Sequence, residues 1–233
     1  MKKLQLTTDS YPQFRRCIIT LALGCMSAFF CSLTTAADSQ LPYYNSPDFT
    51  PHWFDPMSEE LLGFHRIPSF SFTDQEGRNV TDRTIQKKIY VASFFFTTCP
   101  GICPTIRSKL SRVQDEYRDD DEVRILSHSI QPTIDTVEIL KDYAERNDIR
   151  SDNWHLLTGD KRDIYSIAKS AYFASEDLGL EEAENDFLHT ENLLLIDQNR
   201  QIRGIYNGLN NTSVSHLITD IQILKDERAD LLD

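Results

Sequence analysis

Apolar residues recur with two periods along this chain, and the switches between them mark its elements. Phe70 and Phe72 alternate with serines ahead of the turn Asp74-Gln75-Glu76-Gly77, which predicts a short hairpin. Residues 89–96 form an apolar run rich in β-branched and aromatic side chains, the pattern of a strand buried on both faces. Pro104 suits a first helical turn, and Ile106, Leu110 and Val113 then recur at helical spacing as far as Tyr117. Residues 123–127 predict a strand, and 136–147 a helix with Val137, Leu140 and Tyr143 facing inward. Residues 154–157 form a short strand stopped by Thr158-Gly159-Asp160, and 162–173 a helix. Residues 193–196 and 201–206 flank an Asp197-Gln198-Asn199-Arg200 turn and make a second hairpin, before a closing helix over 213–227. Strands and helices alternating in this way describe one α/β domain with a mostly parallel central sheet.

The ends of the chain lack this periodicity. Lys2, Lys3, Arg15 and Arg16 precede an apolar stretch over 17–33, and Thr34-Thr35-Ala36-Ala37 follows with small residues. Residues 1–37 therefore read as a secretory leader or, uncleaved, as an N-terminal membrane anchor. The expected place of the rest is outside the cytoplasm, in the periplasm, soluble or tethered to the inner membrane. Residues 38–66 hold many aromatics and prolines without a period, as in an extended arm lying on the domain or a spacer. The domain itself covers 67–228, with 229–233 as a tail. Residues 176–186 are acidic and poor in apolar side chains; this stretch, with Glu181-Glu182-Ala183-Glu184, reads as a solvated loop.

Charge narrows the choice of partner. Lys and Arg number 24 against 36 Asp and Glu, a net charge of −12, which excludes a general nucleic-acid binder. Residues 1–37 carry four cations and one carboxylate, so the remainder stands three charges lower, at −15. They also hold Cys17, Cys25 and Cys31, which leaves Cys99 and Cys103 as the cysteines of the exported part. No triad, phosphate loop or dinucleotide fingerprint is present.

The chemistry centres on Cys99-Pro100-Gly101-Ile102-Cys103-Pro104. A buried strand delivers the chain to a short loop, and a helix starts at Cys103 or Pro104. The free N–H groups of a helix N-terminus favour an anion, so they are expected to favour the Cys103 thiolate and that of Cys99. A thiolate is the nucleophile of disulfide exchange and a ligand for soft metals. The loop also lets the Cα atoms come within the roughly 4.4–6.8 Å that a disulfide needs. A purely structural disulfide is the bland rival, but so short a loop contributes little closure entropy.

Here the sequence resembles the SCO/SenC copper proteins of cytochrome oxidase assembly. The resemblance begins in the cysteine motif after its aromatic strand. It continues through Pro132-Thr133-Ile134-Asp135-Thr136, then Asn153-Trp154-His155-Leu156-Leu157-Thr158-Gly159-Asp160, then Phe187-Leu188-His189-Thr190. It implies a thioredoxin-like fold with a mixed, mostly parallel sheet. It also implies a copper site made by Cys99, Cys103 and His189, delivery of copper to the copper-site subunit of a respiratory oxidase, and exchange with other copper carriers or thiol reductants. The donor set is chemically sound: two thiolates select Cu(I), and an imidazole adds a donor that also tolerates Cu(II). Two positions depart from the family pattern, Leu188 and Gln131, each standing where the family commonly has Asp.

The alternative from a different class is a thiol–disulfide oxidoreductase using Cys99 and Cys103 as attacking and resolving thiols, in an order the sequence leaves open; a peroxidase-like or redox-sensing protein is a third. Among the other histidines, His155 reads as a core residue, His128 as a strand-end candidate for an auxiliary ligand, and His52, His65 and His216 as arm or surface residues.

Overall fold

Seven consecutive residues of one strand, Ile89–Phe95, are buried, and the rest of the molecule is arranged around them. The structure is a computed structural model that describes residues 40–174 and 191–230. In chain order, β1 (Ser71–Thr73) and β2 (Asn79–Thr81) form the first hairpin, followed by β3 (Ile89–Phe95) and α1 (Cys103–Glu116). Then come β4 (Val123–Ser129), α2 (Val137–Arg146), β5 (Trp154–Leu157) and α3 (Lys161–Ser170). β6 (Asn192–Ile196), β7 (Ile202–Asn207) and α4 (Asn211–Asp230) complete the order.

The main sheet runs β5-β4-β3-β6-β7. β3, β4 and β5 are parallel neighbours, whereas β6 pairs antiparallel with β3 and with β7. The expected mixed sheet is present, with parallel and antiparallel pairings in equal number. The expected hairpins both form, β1 with β2 and β6 with β7.

Because side chains alternate along a strand, the sheet buries two separate faces. One carries Val91, Phe95, Ile125 and Leu156 against Ile106, Leu110 and Val113 of α1, Leu140 and Tyr143 of α2, and Val214, Leu217 and Ile221 of α4. The other carries Tyr90, Phe94, Leu126 and Leu157 against Ile164, Ile167 and Ala168 of α3 and Phe72 and Val80 of the first hairpin. Full burial of each such large side chain contributes roughly 1.5–3 kcal/mol, so the two faces together supply most of the folding force.

Local signals set the helix ends. Thr136 caps α2 by accepting from the Ile139 N–H, and Asp160 caps α3 by accepting from Arg162 and Asp163 N–H groups. α3 stops at Ser170, short of the predicted 173, because the N–H groups of Tyr172 and Ala174 reach back to Ile167 and Ala168 in a wide closing turn. Phe173 there takes a left-handed backbone, φ 50°. Val137 is only half-buried, unlike the expected inward residue. α4 extends beyond its predicted limits at both ends.

The aromatic arm lies on the domain. Tyr44 pairs with Ile202 of β7, Tyr43 pairs with His52 across the arm itself, and Tyr43 is buried. Among the described residues no helix is long and apolar enough to cross a membrane. Residues 1–37 and 176–186, and with them the expected leader and acidic loop, lie outside the described residues.

Candidate functional site

At the exit of β3 the chain passes Phe96, Thr97 and Thr98 and turns at Cys99, whose N–H donates to the Phe96 carbonyl at 3.3 Å. α1 starts four residues later at Cys103, with Pro104 in its first turn, where a missing N–H costs nothing. No side chain caps this end, so its N–H groups are free to face a ligand or a sulfur. Both cysteines are free thiols, Cys99 half-buried and Cys103 buried.

The two sulfurs are hydrogen-bonded to each other and differ sharply. Burial works to raise the Cys99 thiol, but the Cys103 thiol and the N–H groups of Cys103, Gly101 and Ile102 outweigh it and hold it below its ordinary value. Burial, with the neighbouring Cys99 sulfur, pushes Cys103 up to about 12. This corrects the expectation that the helix start would favour the Cys103 thiolate. Cys103 turns inward among Phe95, Ile106 and Leu110, while the N–H groups of the loop and of the first helical residue are directed to Cys99.

Around the pair stand residues whose contacts with it the sequence did not announce. Tyr143 and Arg107 share with Cys103 and Phe95 a cavity of about 20 Å³, room for about one water. Burial raises the Tyr143 hydroxyl, opposed by Arg107 and reinforced by Cys103, Asp135 and Cys99. Asp135, fully buried, accepts hydrogen bonds from Thr97 and Ser129. The Thr98 hydroxyl donates to Gln131 Oε1 at 3.4 Å, so the amide at this position touches the cysteine loop. Asp135 lies in a quoted motif and Gln131 beside it, and Tyr143 read only as an inward helix residue; Arg107, Thr97 and Ser129 carried no signal in the sequence.

The SCO1/SenC family model matches residues 59–224. The chain belongs to the SCO1/SenC family. It is 28% identical over 170 residues to a SCO1 protein homolog of Bacillus subtilis, a match covering 72% of this chain and 84% of the relative. Among solved structures it is similar to BsSco, described as a Sco-family cytochrome c oxidase assembly protein with a disulfide switch. That match is 26% identical with a TM-score of 0.59 and covers 73% of this chain and 95% of the other. It is also similar to ScoI of Bradyrhizobium japonicum, solved with copper bound: 25% identity, TM-score 0.53, 67% of this chain and 98% of the other. The thioredoxin-like fold of these Sco proteins is the fold of this chain.

Set against the SCO1/SenC pattern, the described residues bring together Cys99 and Cys103, a donor pair whose chemistry fits a soft cation such as Cu(I). His189 and Leu188 lie outside the described residues, and among those described no group of three His, Cys, Asp or Glu could hold a metal. The chain is described again from Glu191, whose side chain accepts from Asn207 Nδ2 at 3.4 Å. His128 falls on the wrong face for an auxiliary ligand. It alternates with Ser127 and Ser129, which place it opposite the cysteines, ringed by Phe72, Phe94 and Tyr172. His155 is buried as expected, its Nδ1–H donating to Asp74 at 3.0 Å. His216 is exposed, while His52 stacks on Phe54 and His65 donates to the Ala171 carbonyl.

Proposed function

We propose that Cys99, Cys103 and His189 bind copper and that this exported protein delivers it to the copper-site subunit of a respiratory cytochrome oxidase. The observation that carries this reading is the pair of free, mutually hydrogen-bonded thiols at an uncapped helix start. Copper in the related ScoI and the assembly role of BsSco support it. So does strand order: β6 runs antiparallel to β3 in the register Ala92↔Leu194, which sets the start of β6 beside the exit of β3, where the cysteine loop leaves. Three donors leave the ion accessible, so copper passes to a partner by ligand exchange, whereas a closed four-ligand site retains its metal. Oxidation of Cys99 and Cys103 to a disulfide removes both thiolates and disables binding.

The test is an anaerobic Cu(I) titration of the reduced protein against a competing chelator, with Cys99→Ser and His189→Ala alongside. One copper per chain, weakened at least tenfold in both variants, is the expected result. Binding that ignores His189 overturns the ligand set.

One observation favours a second reading. Cys99 is the more exposed and more acidic thiol and Cys103 the buried one, the division of labour of an attacking and a resolving thiol in a thiol–disulfide oxidoreductase. Such an enzyme retains exchange activity in His189→Ala, and a copper carrier loses metal.

A further inference from the structure

An ionisable side chain withdrawn from water is costly unless each of its oxygens finds donors. Asp135 meets that condition through the end of β4 and the segment that leads from β3 into the cysteine loop. Its Oδ1 accepts from the Thr97 hydroxyl at 2.5 Å, and its Oδ2 from the Ser129 hydroxyl at 2.5 Å. The Thr97 backbone N–H reaches both oxygens at 3.3 Å. Its partners are thus two hydroxyls and one amide, with Asp135 itself fully buried just before the Thr136 cap of α2.

The two arms of this contact lead to different places. Thr97 follows β3 and stands two residues before Cys99, so whatever fixes Thr97 fixes the start of the loop. Ser129 ends β4, and its oxygen also accepts from the Gln131 N–H at 3.1 Å. The C-terminal half of the loop closes on the Cys99 sulfur through the N–H groups of Gly101, Ile102 and Cys103, whereas at its entry the other contacts, Cys99 N–H to Phe96 and the Thr98 hydroxyl to Gln131, are long, at 3.3 and 3.4 Å. A short loop whose ends are fixed keeps two thiols at high effective concentration, and one whose entry drifts does not.

We infer that Asp135 is a positioning residue for the cysteine pair: it clamps the exit of β3 at Thr97 and so keeps the Cys99 sulfur within reach of Cys103. The inference rests on the reading of Cys99 and Cys103 as the working pair, whether for copper or for disulfide exchange.

The test is the equilibrium of the purified chain with glutathione, read by mass spectrometry of the peptide holding both cysteines. The dithiol passes two electrons and two protons to one glutathione disulfide, whose S–S bond breaks to give two glutathione thiols as the Cys99–Cys103 bond forms. Thr97→Val and Asp135→Asn are expected to lower that equilibrium constant about tenfold, the value of one charge-assisted hydrogen bond. Ser129→Ala removes a bond to the same carboxylate from the arm that reaches the loop only through the long Thr98–Gln131 contact. It is expected to lower the thermal midpoint while leaving the constant within about twofold. Thr97→Val keeps the test decisive if Asp135→Asn does not fold. A wild-type disulfide with an unchanged constant in Thr97→Val overturns the inference alone, as does an equal fall in Ser129→Ala. A wild-type chain that forms no such disulfide at any glutathione ratio overturns the working-pair reading and the inference with it.

Discussion

The guanidinium of Arg203 lies 3.9 Å over the ring of Tyr43. The same group donates to the Leu41 and Pro42 carbonyls at 2.7 and 3.2 Å and pairs with Asp197 and Glu227, so one buried side chain joins the arm, the β6–β7 turn and α4. Removing it leaves two carboxylates without their cation. Arg203→Met is expected to cost about 3–5 kcal/mol in urea unfolding, with new protease cleavage in the arm near residues 40–52. A loss below about 1 kcal/mol would show that the aromatic contacts and the Tyr44–Ile202 backbone pairing hold the arm without this cation.

Acid should weaken the fold through His128. Burial pushes this imidazole down to about 4, with the Ser93 and Leu126 carbonyls pulling weakly the other way, and the side chains around it are Phe70, Phe72, Phe94 and Tyr172. The unfolded chain therefore binds a proton between about pH 6.5 and 4 that the folded chain refuses. Stability from this group is complete above pH 6.5 and falls by about 3 kcal/mol as the pH drops to 4. Replacing His128 with Phe should flatten the wild-type curve over that interval, and a difference between the two proteins that does not vary with pH would refute the assignment.

Alkylation should distinguish the two thiols. Cys99 is the more exposed and is held low by the Cys103 thiol and the N–H groups of Cys103, Gly101 and Ile102, while Cys103 is buried and held high. With iodoacetamide near neutral pH, peptide mapping should find Cys99 modified at least tenfold faster than Cys103. Equal rates would mean that the loop opens faster than it reacts.

Gly204 answers to packing. A methyl group there would collide with the ring and hydroxyl of Tyr206, which donates to Asp220 at 2.7 Å. Gly204→Ala is expected to destabilise the protein by about 1–3 kcal/mol, measured by thermal unfolding, and less in a Tyr206→Phe background.

The periodicities were enough to find every strand and helix of the main sheet, since each answers to local burial. The cysteine pair was legible too, because its motif is contiguous. The missing parts are those set by contacts between distant positions. Thr97 meets Asp135 across thirty-eight residues, and no local pattern announces that bond. The reversal of preference between Cys99 and Cys103 depends on how deeply Phe95 and Ile106 cover one sulfur. The face taken by His128 was readable in principle, since it shares parity with Leu126 and opposes Ile125, but only once the strand is known to continue to Ser129. The antiparallel insertion of β6 beside β3 follows from the whole sheet and from nothing near either strand.

That insertion also sets an order of events. β3, β4 and β5 are neighbours joined by single helices, so they can assemble over short stretches of chain. β6 must return to β3 from more than a hundred residues away, as in the Tyr90↔Ile196 pair, and the entropy of closing so long a span is met before its contacts form. Refolding should therefore be biphasic, with Trp154 fluorescence recovering before amide protection in β7. On a chain that emerges from its N-terminus, the two thiols are in place well before the second hairpin has been made.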